Sequence, residues 1–266
     1  MSKPKIKLQK IFFIGAGPGD SELITVKGKR LLEEADVVVY AGSLVNEKVL
    51  QYVQKDAAVY NSASMTLDEI MKIVVEAARQ GKKVVRLHTG DPTLYSALGE
   101  QADILEREGI PYAVVPGVSS AFASAAALKD ELTMPEITQT VIFTRLEGKT
   151  SVPEKERLAG LARHSATMCI FLSVGMIKNV VEELKQGYAE ETPVAVVYRA
   201  TWEDEKIVRA TLKDIVVKVK KAKIARQAMI IVGRTIGVRS KWQEARTKSK
   251  LYDRNFEHGY RKKKKG

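Results

Sequence analysis

Gly15-Ala16-Gly17-Pro18-Gly19-Asp20 follows the apolar run Ile11–Ile14 and precedes a helical stretch, Leu23 to Ala35. Strand, glycine-rich turn and helix in that order is the setting of nucleotide-binding loops, whose main-chain N–H groups cradle phosphate. A dinucleotide loop also needs a third glycine three residues after the second, where helix and strand pack closely. Asp20 holds that position, and its carboxylate would face an incoming pyrophosphate. Pro18 removes one of the N–H donors. The following strand, Val37–Tyr40, runs into Ala41-Gly42 and not into the acid that holds a ribose. A nicotinamide-type oxidoreductase is therefore disfavoured. The loop serves some other ligand.

Groups for acid–base, nucleophilic or metal chemistry are scarce. His88, His164 and His258 are far apart; His88, just before Thr89-Gly90-Asp91, is placed for a site role but reads best as a packed or solvent-facing imidazole. Cys169 is the single cysteine and lies in the apolar run Met168–Leu172, as a buried strand thiol would. No Walker loop, G-x-S-x-G or H-E-x-x-H occurs. No metal site is expected, and no catalytic residue is identified.

What positions the loop is an alternation of strands and helices. Strands are predicted at Lys10–Ile14, Val37–Tyr40, Ala58–Tyr60, Lys83–Leu87 and Tyr112–Val115. Helices are predicted near Thr25–Ala35, Asn46–Val53, Thr66–Gln80 and Ser96–Glu108. Thr66 with Glu69 is a capping box, and Gly81 and Gly109 stand at helix stops. The alternation implies parallel strands covered by helices. An Ala- and Ser-rich helix follows Pro116-Gly117.

The second half reads as strands at Gln139–Thr144, Thr167–Leu172, Pro193–Tyr198, Lys206–Thr211 and Ala228–Val232. Its helices fall near Pro153–Ala162, Met176–Gln186 and Leu212–Ala222. Adjacent strands at 193–211 suggest a mixed sheet. The expected organisation is α/β: an N-terminal domain, 1–117, with a parallel sheet, and a C-terminal domain, 118–238, with a mixed one. A ligand cleft is expected between them, and 239–266 is read as a disordered basic tail.

Of the net charge of +12, the eleven Lys/Arg and three Asp/Glu from Arg239 onward supply +8. The body carries only the remaining +4, so its charge does not mark a nucleic-acid binder. No apolar run approaches the roughly 20 residues that span a bilayer. The basic N-terminus lacks the apolar core of a secretory signal. A cytoplasmic protein is expected.

Four loops at the carboxyl ends of strands carry the turn chemistry: Gly15–Asp20, Tyr40–Ser43, Thr89–Pro92 and Pro116–Ser120. Open α/β sheets bind ligands at such ends. The segments "GAGPGDSELITVKGKRLLEEADVVVY", "VVRLHTGDPTLYS", "GIPYAVVPGVSSAFASAAAL" and "AMIIVGR" resemble, in order, signatures of the S-adenosylmethionine-dependent tetrapyrrole methyltransferases. The resemblance covers about Lys10 to Gly237. Within that family "YAGSLV" and "NSASMTLDEI" look like the precorrin-4 C11-methyltransferases of cobalamin biosynthesis. Ala41 stands where uroporphyrinogen III methyltransferases usually have an acid, which argues against that substrate.

The resemblance implies that the donor, S-adenosylmethionine, lies folded between the two domains and leaves as S-adenosylhomocysteine. It implies donor contacts from Pro18, Thr89, Gly90, Asp91, Leu94, Ser119 and Ser120, and from Leu172, Ser173 and Ala200 in the second half. The acceptor would be a polycarboxylate macrocycle, precorrin-4 or its cobalt form. Tyr40, Ser43, Arg86, Arg145 and Arg199 are candidates to bind it. A homodimer is implied, with no membrane or nucleic-acid partner. RNA or protein methyl transfer within the superfamily, and a module that binds the donor without turnover, are the remaining alternatives.

Overall fold

The computed structural model describes residues 8–237 and 256–262. Among them the chain up to Ala123, with Arg199–Glu205, forms one compact unit. Ser124–Tyr198 and the residues from Lys206 onward form the other. The basic tail lies outside the described residues except for Phe256–Lys262.

The first unit holds five parallel strands, β1 (Ile11–Gly15), β2 (Val37–Tyr40), β3 (Ala58–Asn61), β4 (Val84–His88) and β5 (Tyr112–Val115), in the order β3-β2-β4-β1-β5. Apart from the buried Arg86 and His88 of β4, the inner strands are apolar on both faces because helices cover both. Ile14, Val38, Val85 and Leu87 pack on one side with Leu32 of α1 (Val26–Glu33). Phe13, Val39 and Val84 pack on the other with Ile70 and Val74 of α2 (Leu67–Arg79) and Leu105 of α3 (Leu98–Arg107). The chain leaves β1 toward β2 and later returns to place β4 between them. The loops after β1 and β4 therefore lie side by side where the strand order reverses, the usual ligand position in such a sheet.

α4 (Ser120–Leu128) follows β5. In the second unit, β6 (Val141–Arg145), β7 (Thr167–Phe171), β8 (Pro193–Tyr198), β9 (Lys206–Thr211) and β10 (Ala228–Val232) run in the order β6-β7-β10-β8-β9. Only β6 and β7 are parallel, so the sheet is mixed as expected. One face packs Met168, Ile170, Val196 and Ile230 under α5 (Leu158–Ala162), α6 (Ile177–Leu184) and α7 (Ile215–Lys221). Cys169 is fully buried in β7, and burial pushes its thiol up to about 12.

All ten predicted strands are present, and the capping box forms: the Glu69 carboxylate accepts from the Thr66 N–H at 2.7 Å. Two predicted helices change. Asn46–Val53 is a 3-10 turn over Glu47–Tyr52, because Asn46 caps a segment too short to profit from α geometry. Pro153–Ala162 breaks at Arg157, whose ψ of 139° is extended, leaving only Leu158–Ala162 as α-helix.

Candidate functional site

The loops after β1, β4 and β5 are stitched together through main chain. Gly17 and Gly90 form an antiparallel bridge, with the Gly90 N–H on the Gly17 carbonyl at 2.8 Å. Ala16 N–H donates to the His88 carbonyl at 2.7 Å. No side chain fits where these strands end. A Cβ on Gly15 would lie 2.5 Å from the Gly90 oxygen and 2.6 Å from Gly117 Cα. One on Gly117 would overlap that same oxygen. Gly90 differs: it is buried at φ 60°, and a Cβ there would meet Ser119 and Ser120 at 3.7 Å, an ordinary van der Waals contact, so its backbone conformation and not a clash favours glycine.

Asp91 ties the second loop to the third. One carboxylate oxygen accepts from the Gly117 N–H at 2.9 Å, the other from the Thr93 N–H at 2.8 Å. Burial opposes its ionisation, but the hydrogen bonds from Thr93 and Gly117 prevail and hold it below the usual aspartate range. Its anion therefore supports the loops above that range and ceases to do so as acid protonates it. Asp91→Asn should turn an amide N–H₂ toward one of these donors and cost about 1–3 kcal/mol. A thermal melt at neutral pH checks this.

Asp20 does not face a ligand as the dinucleotide comparison suggested. Its carboxylate accepts from the Glu22 N–H and caps the turn Ser21–Leu23, while its own N–H donates to Thr201 Oγ1 at 2.9 Å.

The family model of tetrapyrrole (corrin/porphyrin) methylases matches residues 10–216. The chain belongs to the tetrapyrrole methylases. It is 60% identical, over 96% of both chains, to the cobalt-precorrin-4 C(11)-methyltransferase of Methanocaldococcus jannaschii. A solved cobalt precorrin-4 methyltransferase of cobalamin biosynthesis matches with a TM-score of 0.82 at 51% identity, covering 84% of this chain and 94% of that one. A Thermus thermophilus uroporphyrin-III C-methyltransferase, solved with S-adenyl homocysteine, matches at 0.73 and 30%, covering 85% and 98%.

In this tetrapyrrole methylase the predicted donor contacts of the first unit gather. Pro18, Thr89, Gly90, Asp91, Leu94, Ser119 and Ser120 all stand on the three joined loops or the turn that follows them. Ala200 joins them, since its oxygen lies 3.0 Å from where a Gly19 Cβ would be. Leu172 and Ser173 end β7 in the second unit. Leu172 is 62% exposed at φ 54°, a strained backbone for a large apolar side chain. Ser173 is buried, donating to the Phe171 carbonyl and accepting from the Leu146 N–H at 2.8 Å.

The candidates for the acceptor scatter more widely. Tyr40 donates its hydroxyl to Glu47 at 2.8 Å, and burial followed by that bond raises its pKa. Ser43 lies exposed on the loop after β2. Arg145 binds the carbonyls of Thr150 and Ser151, bracing its own loop. Arg199 pairs with Asp204 at 2.8 Å. Arg86 faces inward: it is 5% exposed and donates to Gln101 and to the Val39 carbonyl, and burial lowers its pKa to about 10. Such a guanidinium is spent inside the sheet–helix layer and does not present itself at a rim.

Three residues on these loops escaped prediction. Trp202 donates its indole N–H to the Pro18 carbonyl at 2.9 Å, Thr201 accepts from Asp20, and Asn46 donates to the Gly19 carbonyl at 2.9 Å. Among the described residues no cluster of three or more His, Cys, Asp or Glu forms a metal cage, and no helix is long and apolar enough to cross a membrane.

Proposed function

We propose that this chain transfers the methyl group of S-adenosylmethionine to C11 of cobalt-precorrin-4 in cobalamin biosynthesis. The 60% identity to a cobalt-precorrin-4 C(11)-methyltransferase, across 96% of both chains, carries the assignment. The site fits the donor. Pro18 withholds an N–H donor that a phosphate would use, the Asp20 carboxylate caps a turn, and Asp91 supplies an anion suited to a cationic ligand.

When bound, S-adenosylmethionine supplies an electrophilic methyl that leaves a neutral thioether, so the C–C bond at C11 forms as the S–C bond breaks without acid assistance. The residues of this chain then need only bind and orient. Pro18, Thr89, Gly90, Asp91, Leu94, Ser119, Ser120 and Ala200 hold the donor against main chain. Leu172 and Ser173 keep the role that the resemblance gives them. Tyr40, Ser43, Arg145 and Arg199 serve the acceptor's carboxylates and ring edge, and Arg86 is left out because it is committed internally. Alignment of this kind is worth on the order of 7–11 kcal/mol at its best.

The resemblance also supports a cytoplasmic homodimer, which light scattering on purified protein checks. Calorimetry tests the donor site: S-adenosylhomocysteine should bind one per chain, and Gly90→Trp should abolish that binding while leaving the far-UV circular dichroism intact. Unchanged affinity in this variant would remove Gly90 from the site.

A further inference from the structure

The segment Arg199–Glu205 links β8 to β9 but belongs to the first compact unit. Its backbone is strained: Arg199 has φ 46° and Thr201 φ 71°, the latter an outlier for a β-branched residue. Left-handed conformations of this kind persist only where neighbours over-determine them. Here the neighbours are identifiable. Trp202 donates its indole N–H to the Pro18 carbonyl, and the Asp20 N–H donates to Thr201 Oγ1. Thr201 N–H donates to Glu205 at 2.7 Å, the Arg199 guanidinium lies 4.8 Å from the Trp202 ring centre, and Lys48 pairs with Glu203.

Gly19 is the other half of the arrangement. A Cβ there would overlap the indole ring and lie 3.0 Å from the Ala200 oxygen. The glycine is required because an indole occupies its side-chain space. Ala200, between the two strained residues, is thereby pressed against the loop that carries Pro18.

We propose that Trp202 is a positioning residue for the methyl donor: it clips the strained Arg199–Glu205 turn onto the Pro18–Gly19 loop and so fixes Ala200 and Pro18 at the donor's edge. It touches neither reacting atom. The inference rests on the donor site proposed above. Freed of the clip, the turn relaxes toward ordinary backbone angles, and donor binding must then restore the strained geometry. The loss therefore falls on donor affinity more than on turnover of the bound complex.

The test uses the full chain with S-adenosylhomocysteine as calorimetric probe and S-adenosylmethionine in turnover assays. Trp202→Phe keeps a ring but loses the donor to Pro18 and should raise the dissociation constant about tenfold. Trp202→Ala should raise it further, and in both KM for the donor should rise by a larger factor than kcat falls. Gly19→Ala should weaken binding in the wild-type background and much less beside Trp202→Ala, since the clash needs the indole. In a Trp242→Phe background Trp202 is the sole tryptophan, and its fluorescence should shift on adding S-adenosylhomocysteine. Wild-type affinity in both Trp202 variants, or additive Gly19 and Trp202 effects, would overturn the inference. Failure of the wild-type chain itself to bind S-adenosylhomocysteine would overturn the donor assignment and the inference together.

Discussion

Gly117→Ala is expected to lose methyl transfer and to unfold at markedly lower temperature than wild type, while Gly160→Ala, in α5, should melt slightly higher. The contrast comes from what a methyl group would meet. At Gly117 it would overlap the Gly90 carbonyl oxygen and sit 2.8 Å from Gly15 Cα, so backbone must move. Overpacking against side chains costs about 1–3 kcal/mol, and rigid backbone places this site at or above the upper end. Three loops meet there. Any shift of Gly117 also drags its N–H from Asp91 and shifts the bridge between Gly17 and Gly90. At Gly160 nothing lies within 4 Å, and alanine restores helix propensity worth roughly 0.5–1 kcal/mol. Paired thermal melts with donor-binding calorimetry separate the two. Equal melting temperatures would mean that the triple-glycine junction is not rigid.

The second large effect concerns acid. His88 ends β4, is 4% exposed, and its Nε2 has no hydrogen-bond partner among the described residues. Desolvation, aided by the positive Arg86 nearby, lowers its pKa to about 3. The unfolded chain binds a proton at an ordinary histidine near pH 6.5, and the folded chain does not until about pH 3. Stability due to neutral His88 is therefore complete above the unfolded value and declines as pH falls from 6.5 toward 3. The full decline is on the order of 4–5 kcal/mol at 1.36 kcal/mol per pH unit. His88→Phe, which keeps a ring beside Phe13, should flatten that part of the curve. Urea denaturation at pH 7 and pH 4.5 gives the difference. Parallel pH dependence in the two proteins would show that His88 is protonated, or solvated, in the fold.

Legibility in the sequence follows burial. Inner strands were readable because burial on both faces demands unbroken apolar runs such as Val37–Val39 and Met168–Phe171, while the edge strands β3 and β9 carry exposed polar residues such as Asn61 and Lys206. Gly15, Gly90 and Gly117 were readable as loop glycines, but only the folded chain shows that two exclude a side chain by backbone overlap and that Gly90 is held at a positive φ. Charged residues misled. Asp20 suggested repulsion of a phosphate and is a turn cap; Arg86 suggested a rim cation and is buried on Gln101. Trp202 was not legible as part of the site, because its partners Pro18 and Gly19 are more than 180 residues away. Loop-to-loop contacts of that range leave no periodic trace.

The most direct measurement of the whole account is product analysis with carbon-13-labelled S-adenosylmethionine and cobalt-precorrin-4. A single new labelled methyl carbon bonded to C11 is the expected spectrum, with label transfer abolished in Gly117→Ala. Label at another ring position, on uroporphyrinogen III or on RNA, with C11 untouched, would contradict it.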